Sequence, residues 1–99
     1  MEQKNNKYSQ EEKNHIKQMG KLLFTPEQIA IMLQKDIRDF QEDWKENVCF
    51  VRDTYYTGYL ETVSLVRAKL ISLAQNGSNT ALVEVQKMME ELNQNLTNL

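Results

Sequence analysis

The sequence predicts an all-α fold, a helix-turn-helix N-terminal part followed by a long-helix αα-hairpin. Three observations carry that prediction. Apolar residues recur at steps of three and four from Ile16 to Leu92, and no segment shows the strict alternation of a half-buried strand. Helix-start residues (Ser9, Thr25, Asp36, and Ser78 or Asn79) stand ahead of successive apolar stripes. Between Val48 and Gln75 there is no proline and one glycine, so nothing in that span breaks a helix.

The elements follow in order. Residues 1–8 are polar and read as a flexible N-terminus. Ser9 and Glu12 form a capping box, and a helix from about Gln10 puts Ile16, Met19 and Leu23 on one face, with Gly20 weakening its end. Thr25, Pro26 and Gln28 open a short helix to about Gln34. Phe24 staples onto Ile29, and Ile29, Ala30, Met32 and Leu33 face inward. Asp36 caps a helix from Ile37 to about Lys45, with Ile37, Phe40 and Trp44 inward. The connection Gln34-Lys35-Asp36 is so short that these two helices must cross sharply.

Asn47 caps a long helix from about Val48 to Gln75, striped by Tyr56, Tyr59, Leu60, Val63, Val66, Leu70 and Leu73. Gly58 lies inside it, and two readings stand open: a tolerated defect, or a close helix approach or bend. Gly77 suits the left-handed residue after a helix end. A last helix from about Thr80 to Asn93 carries Leu82, Val85, Met89 and Leu92 and folds back on the long one, with residues 94–99 frayed. The domains are thus a helix-turn-helix part over 9–46 and a hairpin over 47–93.

Composition narrows the function. The 99 residues suffice for one small domain with a modest core. No apolar run approaches the ~20 residues that span a bilayer, and the N-terminal residues do not read as a signal peptide, so the expected compartment is the cytoplasm with no membrane partner. Cys49 is the only cysteine and reads as a buried thiol. His15 is the only histidine and reads as a solvated helix residue. No metal or cofactor is expected. Carboxylates are many, but none sits in a nucleophile constellation, and there is no glycine-rich phosphate loop, so no enzyme is expected. Tyr55, Tyr56 and Tyr59 stand at helical spacing and read as packing rather than as a stacking platform for bases.

Net charge is -2, unevenly spread: residues 1–21 hold five Lys against three Glu. The second helix of the motif is acidic, with five acids against two bases over 36–46. Acids repel phosphate, so this helix alone is a poor DNA reader. The residues expected to touch duplex DNA are Lys17, Lys21, Lys35, Arg38 and Lys45 at phosphates, with Gln34 and Gln41 at base edges. The long helix exposes more apolar surface than its hairpin partner covers, which predicts a homo-oligomer with Tyr59, Val63, Val66 and Leu70 near the contact.

The order of parts resembles small terminase subunits of tailed bacteriophages or prophages. "LFTPEQIAIML" is similar to the family's opening helix and "DIRDFQEDW" to its acidic, Phe-containing second helix. "VRDTYYTGYLETVSLVRAKLISLAQNGSNTAL" resembles its long helix with a central glycine and the turn into a final helix. The likeness covers roughly residues 22–92. It implies a non-enzymatic DNA-packaging factor that forms rings through helical hairpins and hands viral DNA to a large ATPase/nuclease subunit. Thr25 to Leu33, Ile37, Phe40, Gly58, Gly77, Ala81 and Leu82 match the family's pattern, and none of them contacts bases. The DNA-contact residues above rest on charge alone. The other reading is a protein-interaction module or helix-turn-helix regulator whose acidic second helix docks a basic protein.

Overall fold

The computed structural model describes residues 6–99, and among them it has five helices and no strand, an all-α fold. They are α1 (Gln10–Lys21), α2 (Pro26–Met32), α3 (Ile37–Glu46), α4 (Val51–Gln75) and α5 (Asn79–Thr97), with a single 3-10 turn at Val48–Phe50. The chain divides into two compact units, residues 1–62 and 63–99, and α4 contributes to both.

In the first unit each helix starts where its cap dictates. Ser9 and Glu12 close a reciprocal capping box, as do Thr25 and Gln28, and the Asp36 side chain accepts the Asp39 N–H at 3.0 Å. The apolar faces so positioned bury Ile16, Ile29, Phe40 and Val51 completely. Fully burying each such side chain contributes roughly 1.5–3 kcal/mol. Met19, Ala30, Val48, Cys49 and Tyr55 complete the core, with Phe24, Leu33, Ile37, Trp44 and Tyr59 packed against it. The tyrosines do pack: Tyr55 meets Trp44 edge-on at 5.0 Å between ring centroids, and its hydroxyl donates to the Phe24 carbonyl at 2.7 Å.

Tertiary structure departs from the sequence reading at several points. Leu23 was expected on the inner face of α1 but is exposed. The helix stops at Lys21 and Leu23 takes φ 66°, so the Phe24 N–H turns back to the Met19 carbonyl at 3.0 Å. Met32 is exposed for the same kind of reason: α2 ends there, and Gln34 at φ 58° lets the Lys35 N–H reach the Ala30 carbonyl. The long helix starts at Val51, not Val48. Asn47 caps it from a distance, its Oδ1 accepting the N–H groups of Arg52 and Asp53 at 3.0 and 3.2 Å. The intervening turn tucks Val48 and Cys49 into the core and leaves Phe50 exposed, with Asn47, Cys49 and Phe50 all in the left-handed region.

Gly58 is no defect. A Cβ there would overlap the Lys17 carbonyl, and one on Gly20 would overlap the Tyr55 carbonyl, so α1 and α4 cross backbone to backbone at two glycines. The Thr62 hydroxyl seals the crossing by donating to the Lys21 carbonyl at 2.6 Å. Gly20, expected only to weaken a helix end, is one half of this contact.

The N-terminal expectation also changes. Residues 1–5 of the expected flexible segment lie outside the described residues. Tyr8, however, is 3% exposed, its ring edge-on to Phe40 at 6.2 Å.

The second unit is a hairpin of Val63–Gln75 and α5. Gly77 takes φ 100°, the Ser78 N–H reaches the Leu73 carbonyl at 3.0 Å, and the Ser78 side chain caps Ala81. Its one buried residue is Ala81, with Val63, Leu70, Ala74, Val85 and Met88 half-buried. The expected fray at 94–99 is confined to the last two residues, because α5 continues to Thr97 with Leu92 and Leu96 extending its apolar stripe.

Candidate nucleic-acid interface

The α2–α3 pair has the sharp connection of a helix-turn-helix. Its turn, Leu33–Asp36, contains no glycine and uses Gln34 as the left-handed residue instead. Ala30, in the fifth position of α2, is buried where the two helices meet the core.

The seven predicted contact residues divide into two groups. Arg38, Gln41 and Lys45 are exposed and stand three and four residues apart, so they form one row along α3. Gln34 is exposed in the turn preceding that row. Gln41 and Lys45 also edge an open cleft of about 560 Å³ whose other walls are the cap residue Thr25, Pro26 and Glu27 at the start of α2, and Trp44.

The other three lysines are engaged internally. Lys17 and Lys21 both pair with Glu61 of α4, at 3.3 and 3.5 Å. The Lys17 ammonium, with Lys21 behind it, holds the Glu61 carboxyl below its usual range. Exposed pairs of this kind are weak, so they lower the local positive potential more than they immobilise the lysines. Lys35 pairs with Glu12 at 3.1 Å and lies 4.9 Å over the Tyr8 ring, which ties the turn of the motif to α1.

The acidity of α3 has a structural explanation. Asp43 is 6% exposed and points inward, accepting the Tyr8 hydroxyl at 2.5 Å and the Lys7 ammonium at 2.9 Å. Burial, then the bond to Asp43, pushes the Tyr8 phenol far above its ordinary value, and the same carboxylate raises Lys7. One of the five acids is therefore a clasp for the N-terminal segment, not a surface charge. With 3.6 residues per turn, Asp39, Glu42 and Glu46 fall on the strip adjoining Asp43, and Arg38, Gln41 and Lys45 fall on the opposite flank. The outer face of α3 is thus split lengthwise into an acidic and a basic half.

Sequence reasoning missed Arg52. Its guanidinium reaches back to the Lys45 carbonyl at 3.4 Å and places positive charge at the C-terminal end of α3, where the helix dipole favours it. The signal was present in Asn47, whose side-chain cap on Arg52 brings the start of α4 back towards the end of α3.

Of the residues expected at a contact between copies, Tyr59 belongs to the first unit, stacked on Tyr55 at 6.0 Å. Val63 and Leu70 are half-covered and Val66 is exposed. His15 is exposed and Cys49 buried, and no group of three metal-ligating side chains occurs among the described residues. No described helix is long and apolar enough to cross a membrane. No protein-family model, curated protein or solved structure matches the chain.

Proposed function

We propose that the protein is a non-enzymatic, oligomeric DNA-binding protein of the terminase small-subunit kind, recognising viral DNA in the cytoplasm of a bacterial host for a large packaging subunit. The observation that carries the DNA part is the row Arg38, Gln41 and Lys45 along one flank of α3, with the acids on the other flank. Arginine and lysine serve phosphates there, and glutamine offers the paired donor and acceptor that an adenine edge takes. Two cations per copy make a weak site, so useful affinity needs several copies on one duplex. The open apolar surface of the hairpin supports such a homo-oligomer.

Duplex binding measured at 50 and 200 mM salt tests the reading. Each phosphate contact adds about -0.9 to the slope of log affinity against log salt, so Arg38→Ala and Lys45→Ala should each flatten the slope by about that amount per copy engaged. Binding that is absent, or indifferent to salt, would overturn it. A second reading draws on the acidic flank: Asp39 and Glu42 are exposed on α3 and would suit a basic protein partner. It predicts partner capture without nucleic acid, lost on Asp39→Lys with Glu42→Lys.

A further inference from the structure

The cleft between the start of α2 and the second half of α3 is edged by polar side chains that the fold leaves unused. Pro26 and the half-buried Trp44 give it apolar walls, and Glu27, Gln41 and Lys45 stand exposed at its rim. Its volume of about 560 Å³ is that of a small-molecule site. Trp44 is braced by Phe40, Tyr55 and Tyr56, which meet it at 49°, 66° and 54°, so none of these rings is stacked parallel on the indole. Elsewhere in this unit Glu12, Asp43 and Glu61 each hold a lysine. Glu27 and Lys45 border one cleft with opposite charges, yet among the described residues no ion pair joins them and the Gln41 amide has no hydrogen-bond partner.

We propose that this cleft receives one guanine nucleotide whose pairing edge is free, taken from the bound DNA as a bulged, overhanging or extruded base. The proposal rests on the DNA reading above and names what the same face takes. The pairing edge of guanine presents a carbonyl oxygen followed by two N–H donors. A carboxylate accepts both donors at once, which is the role of Glu27, and the Gln41 amide turns from the groove to donate to the oxygen. No other base offers two adjacent donors on that edge. In a duplex the edge is occupied by cytosine, so the cleft selects guanine that has left the stack. Trp44 supplies the stacking surface. The phosphate falls to Lys45, and Arg52 adds positive charge behind it, its guanidinium 3.4 Å from the Lys45 carbonyl. Two observations favour nucleic acid as the source. Gln41 and Lys45 belong to the basic row of α3, so a strand that follows the row passes the mouth of the cleft. An arginine side chain offers the same paired donors and also stacks on indole, but it brings a cation to Lys45 where a nucleotide brings an anion.

The test uses the full chain and follows the fluorescence of Trp44, the only tryptophan. The titrants are duplexes of one sequence with a single bulged guanine, a single bulged adenine or no bulge, and separately deoxyguanosine monophosphate and an arginine amide. The bulged guanine should quench Trp44 and bind about tenfold more tightly than the bulged adenine or the paired duplex. Glu27→Gln, isosteric and at an exposed position, should bring that ratio towards one, because an amide oxygen cannot replace both carboxylate acceptors. Equal affinity for the three duplexes, or an unchanged ratio in Glu27→Gln, would overturn the proposal and leave duplex binding in place. Quenching by deoxyguanosine monophosphate with no binding to any duplex would keep the guanine site and overturn the DNA reading. A response to the arginine amide but to no guanine, or to none of the titrants, would overturn both.

Discussion

The two units are built from the same kind of helix but stabilised in different ways. In the first, four large side chains are fully buried, both capping boxes close, and the N-terminal segment is clasped by Asp43. In the second, the hairpin buries one alanine and leaves Val66, Leu82, Met89, Leu92 and Leu96 in solvent. An isolated pair of helices gains little beyond propensity unless an apolar face is covered. The first unit therefore carries its own stability, and the second depends on what covers it.

The comparison is broken most directly at the centre of the first unit. Phe40→Ala removes a fully buried ring that touches Tyr8 and Trp44, and should destabilise the first unit by about 3–5 kcal/mol, read by chemical denaturation followed through Trp44. Gly58→Ala comes next. A methyl there meets backbone, which cannot rotate away, so α1 and α4 must separate at a cost of about 1–3 kcal/mol or more. In an ordinary exposed helix the same change would stabilise by ~1 kcal/mol, so the sign of the measured effect separates a close crossing from a tolerated glycine. Asp43→Ala leaves the buried Tyr8 hydroxyl without its acceptor and should cost about 1–3 kcal/mol, with faster proteolysis near Lys7 as a second readout.

The hairpin should respond in the opposite manner. Leu96→Ser changes an exposed position and should shift the dilute-chain denaturation midpoint by less than about 0.5 kcal/mol, yet weaken self-association measurably. A large effect in the dilute chain would mean that the hairpin stands on its own packing. The smallest expected effect is at Glu12. Its carboxyl is held below the ordinary 4.5, chiefly by the Ser9 N–H and then by Lys35. A lowered folded value means that the stabilisation is present above the unfolded value and lost as pH falls through the folded one. Glu12→Gln should flatten the acid side of the stability profile by lowering the neutral plateau slightly, with little change at the acid end where the carboxyl is protonated in both states.

What could be read without coordinates was local. Caps, staple and helical periodicity are dictated by neighbours three or four residues apart. So α1 to α3, the inward set Ile16, Ile29, Phe40 and Trp44, and the Gly77 turn were legible. Charge alone picked out Arg38 and Lys45 along with Lys17, Lys21 and Lys35, because composition cannot tell a free lysine from one paired to Glu61 or Glu12. The residues that corrected the site came from across the chain. Asp43 looks like one more surface acid until Lys7 and Tyr8 fold over it, and Arg52 is nowhere near Lys45 until Asn47 turns the backbone.

The sequence by itself determined the all-α class, the helix starts and the surplus of apolar surface on the hairpin, since each depends on local spacing and composition. Only the tertiary structure decided that Gly20 and Gly58 are one contact, and that Asp43 turns inward to clasp Lys7 and Tyr8. The physical reason is the same in each case: backbone approach and ion-pair partners are set by residues 30 to 40 positions apart, and no local periodicity records them.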